Sequence, residues 1–234
     1  MQEPGNHHLA DGRAWAELER EVVACRRCPR LVGWREEIGR VKVRRFADDE
    51  YWSRPVPGFG DPGARVLVLG LAPAAHGGNR TGRVFTGDKS ADFLWVGLHR
   101  AGWATGAVSR SLDDGLELHG CYIAAAVKCA PPQNKPTPTE RDACAPYLHR
   151  EVTLLRRLRV AVALGAFGWD AAWRALDPSR RPRPRFGHGA EEAVAGLTLL
   201  GCFHPSQQNT FTGRLTPEML DGVLARARAL ADDG

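Results

Sequence analysis

The sequence predicts an α/β fold, a parallel sheet covered by helices on both faces. Two observations carry this. Four short apolar runs, 64–71 (ARVLVLGL), 120–128 (GCYIAAAVK), 159–164 (RVAVAL) and 196–203 (GLTLLGCF), alternate with segments of helical pattern. Such near-continuous apolar runs mark strands buried on both faces, and alternation with helices marks parallel crossovers. The polar loops 70–88, 129–138 and 204–214 each follow the carboxyl end of one of these runs. In open α/β sheets ligands bind at that edge.

Each element has its own warrant. After an N-terminal tail, residues 14–24 (AWAELEREVVA) space their apolar residues as an amphipathic helix does. Residues 35–63 mix charge with Pro and Gly and read as extended chain. Residues 89–101 form a helix after the first strand, and the polar stretch 104–119 is a loop. Thr139 is expected to cap a helix running to about Arg157, with Glu140 and Asp142 favourably placed in its first turn. Residues 166–176 are a further helix, followed by the basic loop SRRPRPRFGHGAEE. Residues 216–231 close the chain as a helix with Pro217 at its first position. The 234 residues, without repeats or low-complexity tracts, are expected to form a single domain.

Composition bounds the partners. The net charge is +5, the pI about 9.1, and the only lysines are Lys42, Lys89, Lys128 and Lys135. An arginine-rich basic balance suits phosphate-bearing partners, and equally a solvated surface. No run reaches the roughly 18 apolar residues of a membrane span. The N-terminal MQEPGNHHLADGRAW lacks a secretory pattern, so a cytoplasmic chain is expected. Six cysteines in such a chain point to metal or redox use. Cys25 and Cys28 form a C-x-x-C before Pro29, and Cys129 and Cys144 each stand just ahead of prolines. Cys121 and Cys202 adjoin or lie within apolar runs and read as core residues. Four thiolates suit zinc and a cubane iron–sulfur cluster alike.

The segments YWSRPVPGFGDP, GLAPAAHGGNRTGRVFTGD, VKCAPPQNKPTP with ERDAC, and FHPSQQNTFTGRLTP run in this order through the chain. Together with the C-x-x-C they resemble the uracil-DNA glycosylase superfamily, in its iron–sulfur branch, family 5 rather than family 4. The resemblance implies a three-layer α/β/α sandwich around a four-stranded, mainly parallel sheet. It implies hydrolysis of the N-glycosidic bond of a damaged base in DNA, mainly double-stranded, with Cys25, Cys28, Cys129 and Cys144 holding a structural [4Fe–4S] cluster. A monomer is expected.

Such a reaction needs a flipped nucleotide, a stacking ring, and groups that answer charge on base and sugar. Phe85, an aromatic in a polar loop, is the stacking candidate, or else an anchor of that loop. Asn134 offers an amide that can read a base edge, or form an Asx turn before Lys135-Pro136. His204, at a strand end, can donate to a base oxygen as anionic charge develops. Ser206 and Gln207 are candidate phosphate contacts, and Phe211 or Leu215 the candidate wedge into the duplex. Gly70 and its neighbouring glycines permit close approach to ligand, and His76 lies in the same loop. Arg80 and Arg83 hold phosphate or pair with local carboxylates.

Two departures matter. Where the best-known branch has Gly-Gln-Asp-Pro-Tyr-His, this chain has Gly70-Leu71-Ala72-Pro73-Ala74-Ala75-His76. Ala72 thus replaces the carboxylate that acts on water or the sugar cation, and Asp88 is its nearest substitute. Asp is also among the best helix N-caps, and Asp88 precedes the helix at Lys89; both roles can hold. Ala74 replaces a Tyr that excludes 5-methyl groups, so hypoxanthine, etheno bases and 5-substituted pyrimidines join uracil as expected substrates. The competing readings are a DNA-binding protein of this fold without activity, and an iron–sulfur electron carrier.

Overall fold

The computed structural model describes residues 5–233, with side chains from residue 12 onward. Helix α1 (Gly5–Ala24) runs into the Cys25–Cys28 turn and then α2 (Pro29–Val41). Helix α2 replaces the extended chain expected from residue 35. Pro29 sits at its start, where the missing N–H is no loss, and Leu31, Val32 and Arg35 form its buried face. Charged neighbours masked that face in the sequence.

The sheet begins with β1 (Phe59–Gly60) and β2 (Val66–Gly70), followed by the short α3 (Gly78–Thr81) and α4 (Lys89–Arg100). Then come β3 (Cys121–Ala125), α5 (Pro138–Leu154), β4 (Val160–Leu164) and α6 (Gly165–Leu176). Strands β5 (Glu191–Val194) and β6 (Leu197–Cys202), the short α7 (Gln207–Phe211) and α8 (Pro217–Asp232) complete the chain. The order across the sheet is β1-β3-β2-β4-β6-β5. The inner four strands are parallel and are the four read from the sequence. Two antiparallel edge strands were not foreseen, making six. Strand β5 pairs back on β6 through Ala195 and Gly196, both at positive φ (49° and 79°), as a two-residue hairpin requires. An alanine there gives no turn signal, and the preceding basic loop concealed the strand.

Strand alternation divides the interior in two. Val66 and Val68 of β2, with Val160 and Val162 of β4, face the side packed by α4 and α8. Leu67, Leu69, Ala161 and Ala163 face the side of α5 and α6, where Trp169 and Trp173 fill the space the alanines leave. The result is the three-layer sandwich. Helix α5 starts two residues earlier than expected: Thr137, not Thr139, is its cap. The Thr137 hydroxyl accepts from Glu140 N while the Glu140 carboxylate accepts from Thr137 N, and Pro138 takes the first helical position. No helix among the described residues is long and apolar enough to cross a membrane.

The topology positions the site. From β2 the chain steps outward to β3, then crosses back over β2 to β4. Connections therefore diverge from the carboxyl end of β2, leaving a crevice above it. The loops after β2, β3 and β6 all leave the sheet at this edge.

Candidate active site

The loop leaving β2 is built to present Phe85. The residue sits at φ 49°, a left-handed conformation that strains a bulky side chain. It is held there by Trp95, a fully buried residue of α4 whose Nε1 donates to the Phe85 carbonyl at 2.6 Å. A Cβ at Gly70 would come within 2.6 Å of Phe85 Cζ, so glycine at the end of β2 admits the ring. This is a physical reason for Gly70 beyond loose flexibility.

Facing Phe85 is His204, at the end of β6. The two ring centroids lie 6.1 Å apart with planes inclined by 33°. The His204 carbonyl accepts from Asn209 Nδ2 at 2.8 Å. At Gly165, φ 80°, a Cβ would lie 3.2 Å from His204 Cβ. Burial pushes the imidazole pKa down to about 4, so the ring is neutral near pH 7. Neither Asn209 nor Gly165 was singled out from sequence. A glycine between strand β4 and helix α6 was the available signal for the second.

Asp88 is the N-cap of α4, accepting from Ala91 N at 3.0 Å. Its other oxygen lies against Gly77, where a Cβ would collide with it. Burial raises its pKa above the ordinary carboxylate value, against the backbone donors Ala91 and Ser90. The capping role is therefore formed, and one carboxylate oxygen remains beside the glycine loop. His76 Nδ1 meets the hydroxyl of buried Tyr51 at 3.0 Å. Burial, then Arg45 and Arg80, lower the His76 pKa. Ala74 is half-buried at the base of the loop, its carbonyl accepting from Gly77 N and Asn79 N.

The two loop arginines resolve toward carboxylates. Arg80 pairs with Asp49 at 2.7 Å and lies over the Phe46 ring. Arg83 is 2% exposed and pairs with Asp114 at 2.7 Å. Asn134 is exposed on the loop after β3, at φ 55°, and its side-chain amide bonds nothing among the described residues, so the Asx turn does not form. Ser206 begins α7 without a side-chain cap bond, and Gln207 is exposed beside it. Of the two wedge candidates, Phe211 is 75% exposed, whereas Leu215 is buried at 1% in the core and cannot reach a duplex. Leu215 sits among the core residues that include Leu220 of α8, which is why it faces inward.

The four proline-flanked cysteines gather between α1, α2, α5 and the end of β3. Cys129 and Cys144 are buried in one apolar cluster with Leu31, Val127 and Tyr147, and Cys25, Cys28 and Ala72 pack against it. Ala72 thus turns toward the cysteines. Arg35 Nη1 donates to Cys129 Sγ at 2.9 Å, and Lys128 N to Cys144 Sγ at 3.3 Å. Donors aimed at sulfur suit charged thiolates, as second-shell donors do at metal sites. Burial pushes the Cys129 and Cys144 thiols up to about 12 and about 11. Among the described residues no three such side chains close on a single metal ion; the four-thiol donor set is compatible with a larger iron–sulfur cluster. Cys121 and Cys202, by contrast, are fully buried in the core, as read from sequence.

Comparison with known proteins places the chain in a family. The family described as the uracil DNA glycosylase superfamily matches residues 57–228. A type-5 uracil-DNA glycosylase of Mycobacterium bovis is 56% identical over 217 residues, 92% of this chain and 81% of the relative. Its counterpart in Thermus thermophilus is 52% identical, over 90% of this chain and 95% of the relative. A type-4 uracil-DNA glycosylase of Thermotoga maritima is 33% identical and matches only 64% of this chain and 69% of its own length. Similarity of the first kind extends over nearly the whole sequence and of the second over a part, and on that footing the chain belongs to the uracil DNA glycosylase superfamily, in its type-5 group.

Proposed function

We propose that the protein is a base-excision repair glycosylase that hydrolyses the N-glycosidic bond of uracil in DNA. The carrying observation is the Phe85–His204 pair at the carboxyl edge of the sheet. It offers a ring face for a flipped base beside a neutral imidazole. As the bond breaks, its electron pair leaves with the base; water adds its oxygen to the sugar carbon, and the proton it sheds ends on the departed base. Neutral His204 donates a hydrogen bond to the base oxygen on which negative charge grows, without itself giving up its proton. Asn134 reads the base edge, and Asp88 faces the sugar cation and the water, retaining its cap bond to Ala91. Gly70, Ala74 and His76 shape the pocket, while Ser206 and Gln207 contact phosphate; Ala72, expected with them, packs on the cysteine side instead.

Ala74 leaves the pocket wide, so substrates extend to hypoxanthine, etheno bases and 5-substituted pyrimidines. Double-stranded DNA is the main substrate and a cytoplasmic monomer, a single domain over the chain, the working form. Cys25, Cys28, Cys129 and Cys144 hold a [4Fe–4S] cluster, which when bound ties the N-terminal helices to β3 and α5 and takes no electrons in the reaction. The test is base release from duplexes carrying single uracil or hypoxanthine, for wild type and His204→Ala. Release by wild type and its loss in His204→Ala, with DNA binding kept, supports the reading. Binding without release would make the protein a DNA-binding relative, and release of uracil alone would remove the wider substrates.

A further inference from the structure

Arg35 is a buried cation with an unusual set of neighbours. Its side chain is 2% exposed, and the carboxylate beside it, Glu36, stands 4.0 Å away and is engaged by Arg26. Burying a charge without a good partner is costly. What Arg35 does touch is the cysteine site: Nη1 donates to Cys129 Sγ at 2.9 Å and Nη2 to the Cys25 carbonyl at 3.2 Å, while Nε has no partner. On its other side, the Arg35 carbonyl accepts from Asn79 Nδ2 at 3.2 Å. Asn79 is wholly buried in α3, within the loop after β2. Its N–H donates to the Ala74 carbonyl at 3.1 Å and its own carbonyl accepts from Ser53 N at 3.0 Å. One residue therefore spans from a ligand sulfur to the loop that carries Ala74, His76 and Asp88.

We propose that Arg35 is a positioning residue that couples the cysteine site to the catalytic loop, its guanidinium answering the charge of the Cys129 thiolate and its carbonyl fixing Asn79. This rests on the iron–sulfur reading above. In the loaded site the thiolate supplies a closer negative partner than Glu36, which is 4.0 Å away and shared with Arg26, and this holds α2 in register. With α2 held, the Arg35–Asn79 bond holds the loop. Loading the cysteines thus orders residues 74–88, without the cluster touching substrate. A positive charge beside a ligand sulfur also favours the more negative, reduced cluster, and so raises its reduction potential.

The test uses full-length, iron-loaded wild type, Arg35→Met, Arg35→Lys and Asn79→Ala. Iron and sulfide content, the cluster's reduction potential, and hydrogen exchange of amides 74–88 are measured on each. Arg35→Met is expected to show a more negative potential and faster exchange in the loop at equal iron content. Arg35→Lys, which keeps the charge, should stay near the wild-type potential, and Asn79→Ala should exchange faster at an unchanged potential. Full iron with unmoved potential and exchange in Arg35→Met would overturn the coupling. If that variant cannot be loaded, Asn79→Ala decides, and unaltered exchange in it would overturn the link to the loop. Wild type purified without iron and sulfide would instead remove the iron–sulfur reading, and this proposal with it.

Discussion

Replacing His204 with asparagine should make the protein's stability less sensitive to acid. The imidazole titrates at about 4 in the folded chain against 6.5 ordinarily, because burial disfavours its charged form. A histidine whose pKa is depressed by folding contributes fully above the unfolded value, and its contribution is lost as pH falls toward the folded value. The window is therefore pH 6.5 down to about 4. Each pH unit of separation is worth about 1.36 kcal/mol, so between roughly pH 7 and pH 5 wild type should lose about 2 kcal/mol more than His204→Asn. Urea unfolding of both proteins at the two pH values, with unchanged m, gives the number. His76 and His188, whose pKa values are also lowered, are common to both proteins and cancel. Parallel loss of stability in the two would refute the half-buried, neutral imidazole. The same reasoning requires that kcat/KM on uracil-containing duplex show no histidine limb near pH 6.5.

Three further outcomes are expected. Gly70→Ala should displace the Phe85 ring, cutting base release on the order of 10²-fold by misplacement and destabilising by about 1–3 kcal/mol through overpacking; full activity would show that the ring is not used. Asp88→Ser keeps an N-cap and removes the carboxylate, whereas Asp88→Ala removes both and should cost about 1 kcal/mol of stability. Single-turnover rates on the two separate the roles: equal, severe losses make the carboxylate chemical, and normal activity in Asp88→Ser makes it a cap. Lys128→Met should destabilise by about 3–5 kcal/mol, because it strands Glu151 in a pair at 2.6 Å that is 1% exposed on both sides. The Lys128→Met, Glu151→Leu double variant should recover most of that in denaturant melts.

What the sequence disclosed was what depends on local pattern. The runs VLVLG, CYIAA, VAVAL and LTLLGC are apolar throughout because their strands are covered on both faces, and they were legible for that reason. The partition of the cysteines followed from their immediate neighbours, and Phe85 stood out against a polar loop. What escaped depends on distant partners. Arg83 could be assigned to a carboxylate only once Asp114 was seen beside it. Strand β5 owes its existence to β6 more than to its own residues, two of which are glutamates. Leu215 has the character of a wedge and the location of a core residue, and only packing separates the two. Arg35, one charge among many on α2, acquires meaning from Cys129, far along the chain.

The two antiparallel outer strands have a consequence of their own. A parallel sheet that ended at β3 and β6 would present full-length rows of unpaired peptide groups. Instead one margin is finished by β1, only two residues long. The other is finished by β5, whose Glu191 is exposed and engaged by Arg226 at 2.8 Å. Short or charged margins resist extension by a further strand. An unpaired full-length edge is a template for pairing with another copy, and stray strand pairing leads to aggregates. The trimmed margins guard against that outcome.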